Sequence, residues 1–193
     1  MNPHPPQSAA SALVGIRAFV LTCVLSCMLP CAGLGGCSSV VAPPLPPLES
    51  GASWSVLTIR NDTETPLAGN RAVAIVDSVL RAKGMINLVV APAAARGEVL
   101  TEASDEQALA KSLAWARTQK VRYGITGSVT EWRYKAGVDG EPVVGLTLQL
   151  LDVESGKVLW SASGGLSGFS RESLAAVAQD LVQKLTQPLA SAR

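Results

Sequence analysis

Two runs of alternating side chains joined by a turn constrain this chain more than any other feature. Val121, Tyr123, Ile125, Gly127 and Val129 fall on one face of an extended chain, and Arg122, Gly124, Thr126, Ser128 and Thr130 on the other. The pattern predicts one long strand from Val121 to Tyr134. After Asp139-Gly140, a pair that favours a tight hairpin turn, Val143 to Val153 alternates again with Val144, Leu146, Leu148 and Leu150 on one side. Glu154-Ser155-Gly156-Lys157 supplies a second turn before Val158 to Ser163. Three consecutive antiparallel strands, a meander, are expected.

The flanking segments complete the layer. Ser53 to Arg60 is rich in β-branched and aromatic residues and reads as a strand, followed by a polar loop from Asn61 to Gly69. Val73, Val76 and Leu80 recur at helical spacing within Asn70 to Lys83, and Gly84 stands where a helix stops. Met85 to Ala91, ended before Pro92, reads as a short buried strand. Ala93 to Thr101 carries small residues, and Ser104 to Gln107 fits a capping box opening a helix that runs to about Gln119. A closing helix is expected over Arg171 to Leu185, with Leu174, Val177, Leu181 and Leu185 as its apolar stripe and Ser170 as its cap. The order strand-helix-strand-helix-strand-strand-strand-helix predicts an α/β fold, a mixed sheet with helices packed on it.

The first residues read as a leader. Arg17 is followed by Ala18 to Leu29, an apolar run shorter than the ~18 residues of a spanning helix, and Pro30 with Gly33, Gly35 and Gly36 breaks any helix there. Leu34-Gly35-Gly36-Cys37 resembles a bacterial lipobox, with Cys37 as the thiol that takes lipid. The expected organisation is a signal peptide over 1–36, a lipidated cysteine with a proline-rich tether over 37–52, and one domain over 53–193. An ordinary signal peptide cut nearby and an uncleaved anchor stay open. Ser38 stands at the sorting position, where an Asp would favour inner-membrane retention, so an outer-membrane, periplasm-facing location is expected.

Cleavage at that point restricts the chemistry. Cys23, Cys27 and Cys31 leave with the leader, as does His4, the only histidine. A mature chain with Cys37 acylated has no free thiol and no imidazole, which excludes Ser-His and Cys-His catalysis and a His- or Cys-based metal site. No cofactor is expected beyond the diacylglycerol and N-acyl lipid on Cys37. Of the sixteen Lys and Arg only Arg17 is lost, leaving fifteen cations against fifteen acids, so no charge surplus points to nucleic acid. Val41 to Leu48 (VAPPLPPL) favours an extended polyproline-like conformation without a packed core and reads as a spacer. A proline-rich ligand for a partner and a strap along a neighbouring subunit are the alternatives.

Residues 127–135 (GSVTEWRYK), 137–142 (GVDGEP) and 159–162 (LWSA) resemble the PelC family, outer-membrane lipoproteins of Pel exopolysaccharide export. The resemblance implies a non-catalytic homo-oligomeric ring, a dodecamer, at the inner leaflet of the outer membrane. An acidic surface would guide cationic exopolysaccharide towards a PelB-type export porin. It assigns Asp139 to the acidic lumen, against the plain reading of Asp-Gly as a turn, with Glu141 as a neighbour. It assigns Phe169, at a position that can carry Trp, to membrane contact, with Arg171 beside it; the plain reading makes Phe169 a hydrophobic staple for the helix cap. Phe169 and Asp139 are then expected at two ends of an oriented ring. Trp54, Trp115, Trp132 and Trp160 read as core or subunit-interface residues. The same fold also suits an outer-membrane lipoprotein that activates a peptidoglycan synthase. A carbohydrate hydrolase would need paired carboxylates, and no acid pair here has a distinctive setting.

Overall fold

The two alternating runs pair as antiparallel neighbours from Tyr123 opposite Asp152 to Tyr134 opposite Pro142. In this computed structural model residues 38–96, 105–137 and 140–191 are described, all within the unit Gly36–Arg193. The elements are β1 (Ser38–Val41), β2 (Trp54–Asn61), α1 (Ala68–Ala82), β3 (Leu88–Val90), α2 (Asp105–Thr118), β4 (Tyr123–Tyr134), β5 (Pro142–Asp152), β6 (Val158–Ser167) and α3 (Leu174–Leu185), with a short 3-10 turn over Pro188–Ser191. They build one six-stranded mixed sheet in the order β1-β6-β5-β4-β2-β3, with β2 parallel to both β3 and β4 and the remaining pairs antiparallel.

Alternation along the strands divides the interior into two cores. Val76 and Leu80 of α1 and Val177, Leu181 and Leu185 of α3 pack with Val56, Ile125, Leu146, Leu148 and Leu150. The next residues along two of those strands, Leu57 and Leu151, point the other way and meet Ala116 of α2 together with Val121 and Val153. Burying each large aliphatic side chain contributes ~1.5–3 kcal/mol, so the core beneath α1 and α3, with by far the longer membership, dominates stability.

One register shift corrects the simple alternation. By strict period two Trp132 shares the face of Thr126 and Ser128, yet it is 3% exposed and belongs to the larger core. The ladder between β4 and β5 slips between Val129 and Glu131, and that extra residue turns Trp132 inward opposite Val144. At Gly127 the backbones approach so closely that a Cβ would lie 1.9 Å from the Thr147 carbonyl oxygen. Only glycine fits there.

Elsewhere the boundaries move. The second strand shrinks to Leu88–Val90, while β6 runs on to Ser167 because β1 pairs along its far side, Ser38 opposite Leu166 and Val41 opposite Ser163. A Cβ at Gly164 would stand 2.7 Å from the Ser39 carbonyl oxygen, so the absence of a side chain there admits the edge strand. α3 starts at Leu174 with Ser173 as its cap, its hydroxyl accepting from the Ala176 amide at 3.1 Å. Ser170 and Arg171 instead form a turn ahead of it. Ser104 of the expected capping box lies outside the described residues.

The proline-rich stretch is not a free spacer. Between β1 and β2 it crosses the end of the sheet, and Ala42, Leu45, Leu48 and Ala52 pack against the larger core. Proline lacks the N–H needed for a ladder but keeps its carbonyl, and the buried Trp160 ring donates from Nε1 to the Pro43 oxygen at 2.7 Å. A segment unable to be a central strand serves as a strap.

Candidate functional site

Strand direction fixes where the expected functional residues lie. β4 ends and β5 begins at one end of the sheet, the antiparallel β6 ends there, and β1 begins there. Parallel to β4, β2 also ends there. This turn end therefore gathers Lys135 after β4, Glu141 before β5, the turn after β6, the loop after β2, and Ser38 at the start of β1.

Glu141 sits on the hairpin with its carboxylate 2.9 Å from Lys135 Nζ, and the Lys135 amide donates to the Glu141 carbonyl at 2.8 Å. The pair is locally neutral, so Glu141 supplies no spare negative charge. Asp139 and Cys37 lie outside the described residues. Across the hairpin the Gly168 amide donates to the Pro142 carbonyl at 2.9 Å, which seats the following turn against β5. In that turn the Phe169 amide donates to Glu172 Oε2 at 3.1 Å and the Glu172 amide returns to the Phe169 carbonyl at 2.9 Å. Held this way the Phe169 ring is 56% exposed rather than packed as a staple, and Arg171 beside it is exposed.

Two further apolar residues are exposed at the same end. The loop after β2 is drawn to β4 by the Asp62 amide on the Val129 carbonyl at 2.9 Å and by the Thr65 hydroxyl on the Trp132 carbonyl at 2.5 Å. Leu67, two residues on, is 61% exposed and holds the left-handed φ of 60° at the start of α1. Tyr134, last residue of β4, is 51% exposed. Tyr134 could be seen as a strand terminus, whereas nothing local in the sequence marks Leu67.

The opposite, strap end is closed by polar contacts. Arg122 Nε reaches Glu49 at 2.9 Å, its Nη1 pairs with Asp152, and the guanidinium stands 5.0 Å from the centre of the Tyr123 ring. The Glu49 amide donates to the Tyr123 hydroxyl at 3.1 Å. The Ser155 amide, then Arg122, hold the Asp152 carboxyl down at about 2. Between the strap and the end of α3 runs a cleft of about 1010 Å³ lined in part by Val40, Leu45, Leu48 and Lys184. Trp54, Trp132 and Trp160 are core residues, and Trp115 packs on the smaller core. Among the described residues no cluster of acids could hold a metal ion, and no helix is long and apolar enough to cross a membrane.

A PelC dodecamer from Paraburkholderia phytofirmans matches this chain at 43% identity and TM-score 0.67, covering 81% of this chain and 99% of that one. This chain belongs to the PelC family. A dodecameric point variant of PelC from the same organism, in another space group, matches at 41% identity and TM-score 0.62, over 80% of this chain and 98% of that one. A lipoprotein from Neisseria meningitidis, 21% identical with TM-score 0.51 over 72% of this chain and 99% of its own, shares the fold. No family model and no curated protein matches the chain. In this PelC-family chain Glu141, at the start of β5, and Phe169, after β6, stand at the same end of the sheet. An odd number of strand reversals separates the start of β4 from the end of β5, and one more returns β6 to the hairpin end.

Proposed function

We propose that this PelC-family chain is an outer-membrane lipoprotein, acylated at Cys37, that assembles into a periplasm-facing homo-oligomeric ring guiding cationic exopolysaccharide to a PelB-type porin. The likeness to a PelC dodecamer at 43% identity, covering 99% of that chain, carries the reading. In a closed ring each subunit adds its acid to a shared opening, and fields that are weak singly combine in a narrow passage. With Glu141 matched by Lys135, that role falls to Asp139. Phe169 and Arg171 belong to the face turned towards the inner leaflet of the membrane.

The strap separates this reading from activation of a peptidoglycan synthase. An activator anchored in the outer membrane must reach inward across the periplasm, and here the residues between β1 and β2 are committed to the sheet. Analytical ultracentrifugation of the lipoprotein should give one large species whose mass does not change with dilution. Secreted polymer should fall in cells carrying Asp139→Asn and hold steady with Glu141→Gln. A concentration-independent monomer, or undiminished polymer with Asp139→Asn, overturns the proposal.

A further inference from the structure

We infer that β1 is a detachable strand: residues 38–42 leave the sheet while Cys37 is acylated and the chain is cut before it, and they pair with β6 afterwards. The inference rests on the acylation of Cys37 proposed above and extends it to the order of processing and folding.

The argument starts from where the reacting bond lies. Processing as a lipoprotein breaks the Gly36–Cys37 amide, and Ser38, one residue on, is paired opposite Leu166, with Ser39 opposite Gly165. A peptidase takes the chain on both sides of its scissile bond in an accessible, extended form, and backbone held in a sheet ladder resists it. The chemistry asks for the same room. The Cys37 sulfur bonds to the glyceryl carbon of phosphatidylglycerol, and glycerol phosphate departs with the thiol proton. Water then splits the amide, leaving a carboxylate on Gly36 and an amine on Cys37. That amine takes an acyl group from a second phospholipid, which leaves in its lyso form. With β1 docked, each reagent must reach a residue joined directly to the sheet.

The strand itself is lightly held. Ser38, Ser39 and Val41 are exposed, and only Val40 is half-buried against the larger core. Lifting four such residues from the outer edge of the sheet breaks one short ladder and uncovers little apolar surface, which places β1 at the low end of local stability. The residues that follow stay behind. Pro43 is held by Trp160, Leu45 and Leu48 pack on the core, and Glu49 is tied to Tyr123 and Arg122. A hinge before Pro43 therefore frees five residues, roughly 17 Å of extended chain, and leaves the rest of the strap in place.

The partner strand carries the complementary signal. Glycine inside a strand weakens it, and Gly164 has no positive φ that would call for it. A Cβ there would meet the Ser39 carbonyl oxygen at 2.7 Å and Val40 Cγ2 at 3.0 Å, both on β1. Its third neighbour, Leu181 Cδ1 at 3.2 Å, is the movable end of a side chain. Gly164 thus serves the docked state.

The test uses the full-length precursor, diacylated at Cys37, accumulated under an inhibitor of the lipoprotein signal peptidase and purified in detergent micelles. Cys23→Ala, Cys27→Ala and Cys31→Ala remove the leader thiols, and Ser39→Cys with Gly165→Cys places one pair across β1 and β6. Copper phenanthroline closes the pair, and purified signal peptidase is added with or without dithiothreitol. Cleavage, read by mass spectrometry, should be about tenfold slower or more in the closed form than in the same protein reduced, since a peptidase acts on the open population. A pair that closes in the mature protein but not in the precursor supports the inference too, β1 then being off the sheet until the cut. Equal cleavage of closed and reduced precursor overturns it, as does a pair that closes in neither form. Gly164→Ala, which crowds β1, should be cut at least as fast as the unaltered precursor; slower cutting of a variant that melts normally overturns the inference. A chain with a free Cys37 thiol, uncut or cut elsewhere, removes the acylation and the inference with it. Diacylated precursor cut at full rate with its pair closed removes the inference alone.

Discussion

The two ends of the sheet use their residues in opposite ways. At the strap end a chain segment is fastened by Trp160 to Pro43, by Tyr123 to Glu49 and by Arg122 to Glu49 and Asp152. At the turn end the backbone is fastened just as well, yet Leu67, Tyr134 and Phe169 are left in water. The difference teaches that the side-chain fastening of the fold and its exposed large apolar residues have been placed apart. Substitutions at the strap end should therefore act on folding, and substitutions of the exposed side chains at the turn end much less.

Trp160→Ala should break that separation most severely. It empties a core site that is 5% exposed and removes the donor to Pro43, for a loss of ~3–5 kcal/mol in urea unfolding and faster amide exchange along the strap. Acid should act on the same end. The Asp152 carboxyl is held at about 2 in the folded chain, below its ordinary 3.8. Its stabilisation is thus complete above about pH 4 and disappears as pH falls towards 2, so Asp152→Asn should flatten the acid limb of a pH–stability profile. Leu67→Gly should sharpen the contrast from the turn end. Relief of the left-handed backbone should raise stability by ~1 kcal/mol in thermal melts, since the exposed leucine side chain gives up no burial. Glu141→Gln should change stability least, by under ~0.5 kcal/mol, because it removes one ion pair between half-exposed side chains.

Much of this architecture is legible in the sequence. Val144, Leu146, Leu148 and Leu150 announce their strand and their buried face together, and the helix stripes of α1 and α3 lie inside as their spacing requires. What escapes reading depends on non-local pairing. SSVV at Ser38–Val41 is too short to show a period and becomes a strand only because β6 offers an edge. Prolines in the strap signal the lack of donors but not the carbonyl that Trp160 finds. Ser170 and Ser173 are equally good caps by type, and the choice falls to Glu172, which closes a turn with Phe169 and so delays the helix. The shared end of hairpin and Phe169 was there to be read, since a three-stranded meander returns its last strand to the first turn. Leu67 offered no such clue, because its exposure follows from how Thr65 is tied to Trp132.

The strap has a further consequence for assembly. A slack leash would let anchored subunits tumble, so that most collisions between them in the plane of the membrane would bring together mismatched flanks. With the chain drawn tight from Ser38 onward, a lipid on Cys37 as proposed above would hold neighbours close to the surface and facing a common direction. The search for a ring partner would then be reduced to lateral diffusion and rotation about one axis, at the raised effective concentration that a shared surface provides.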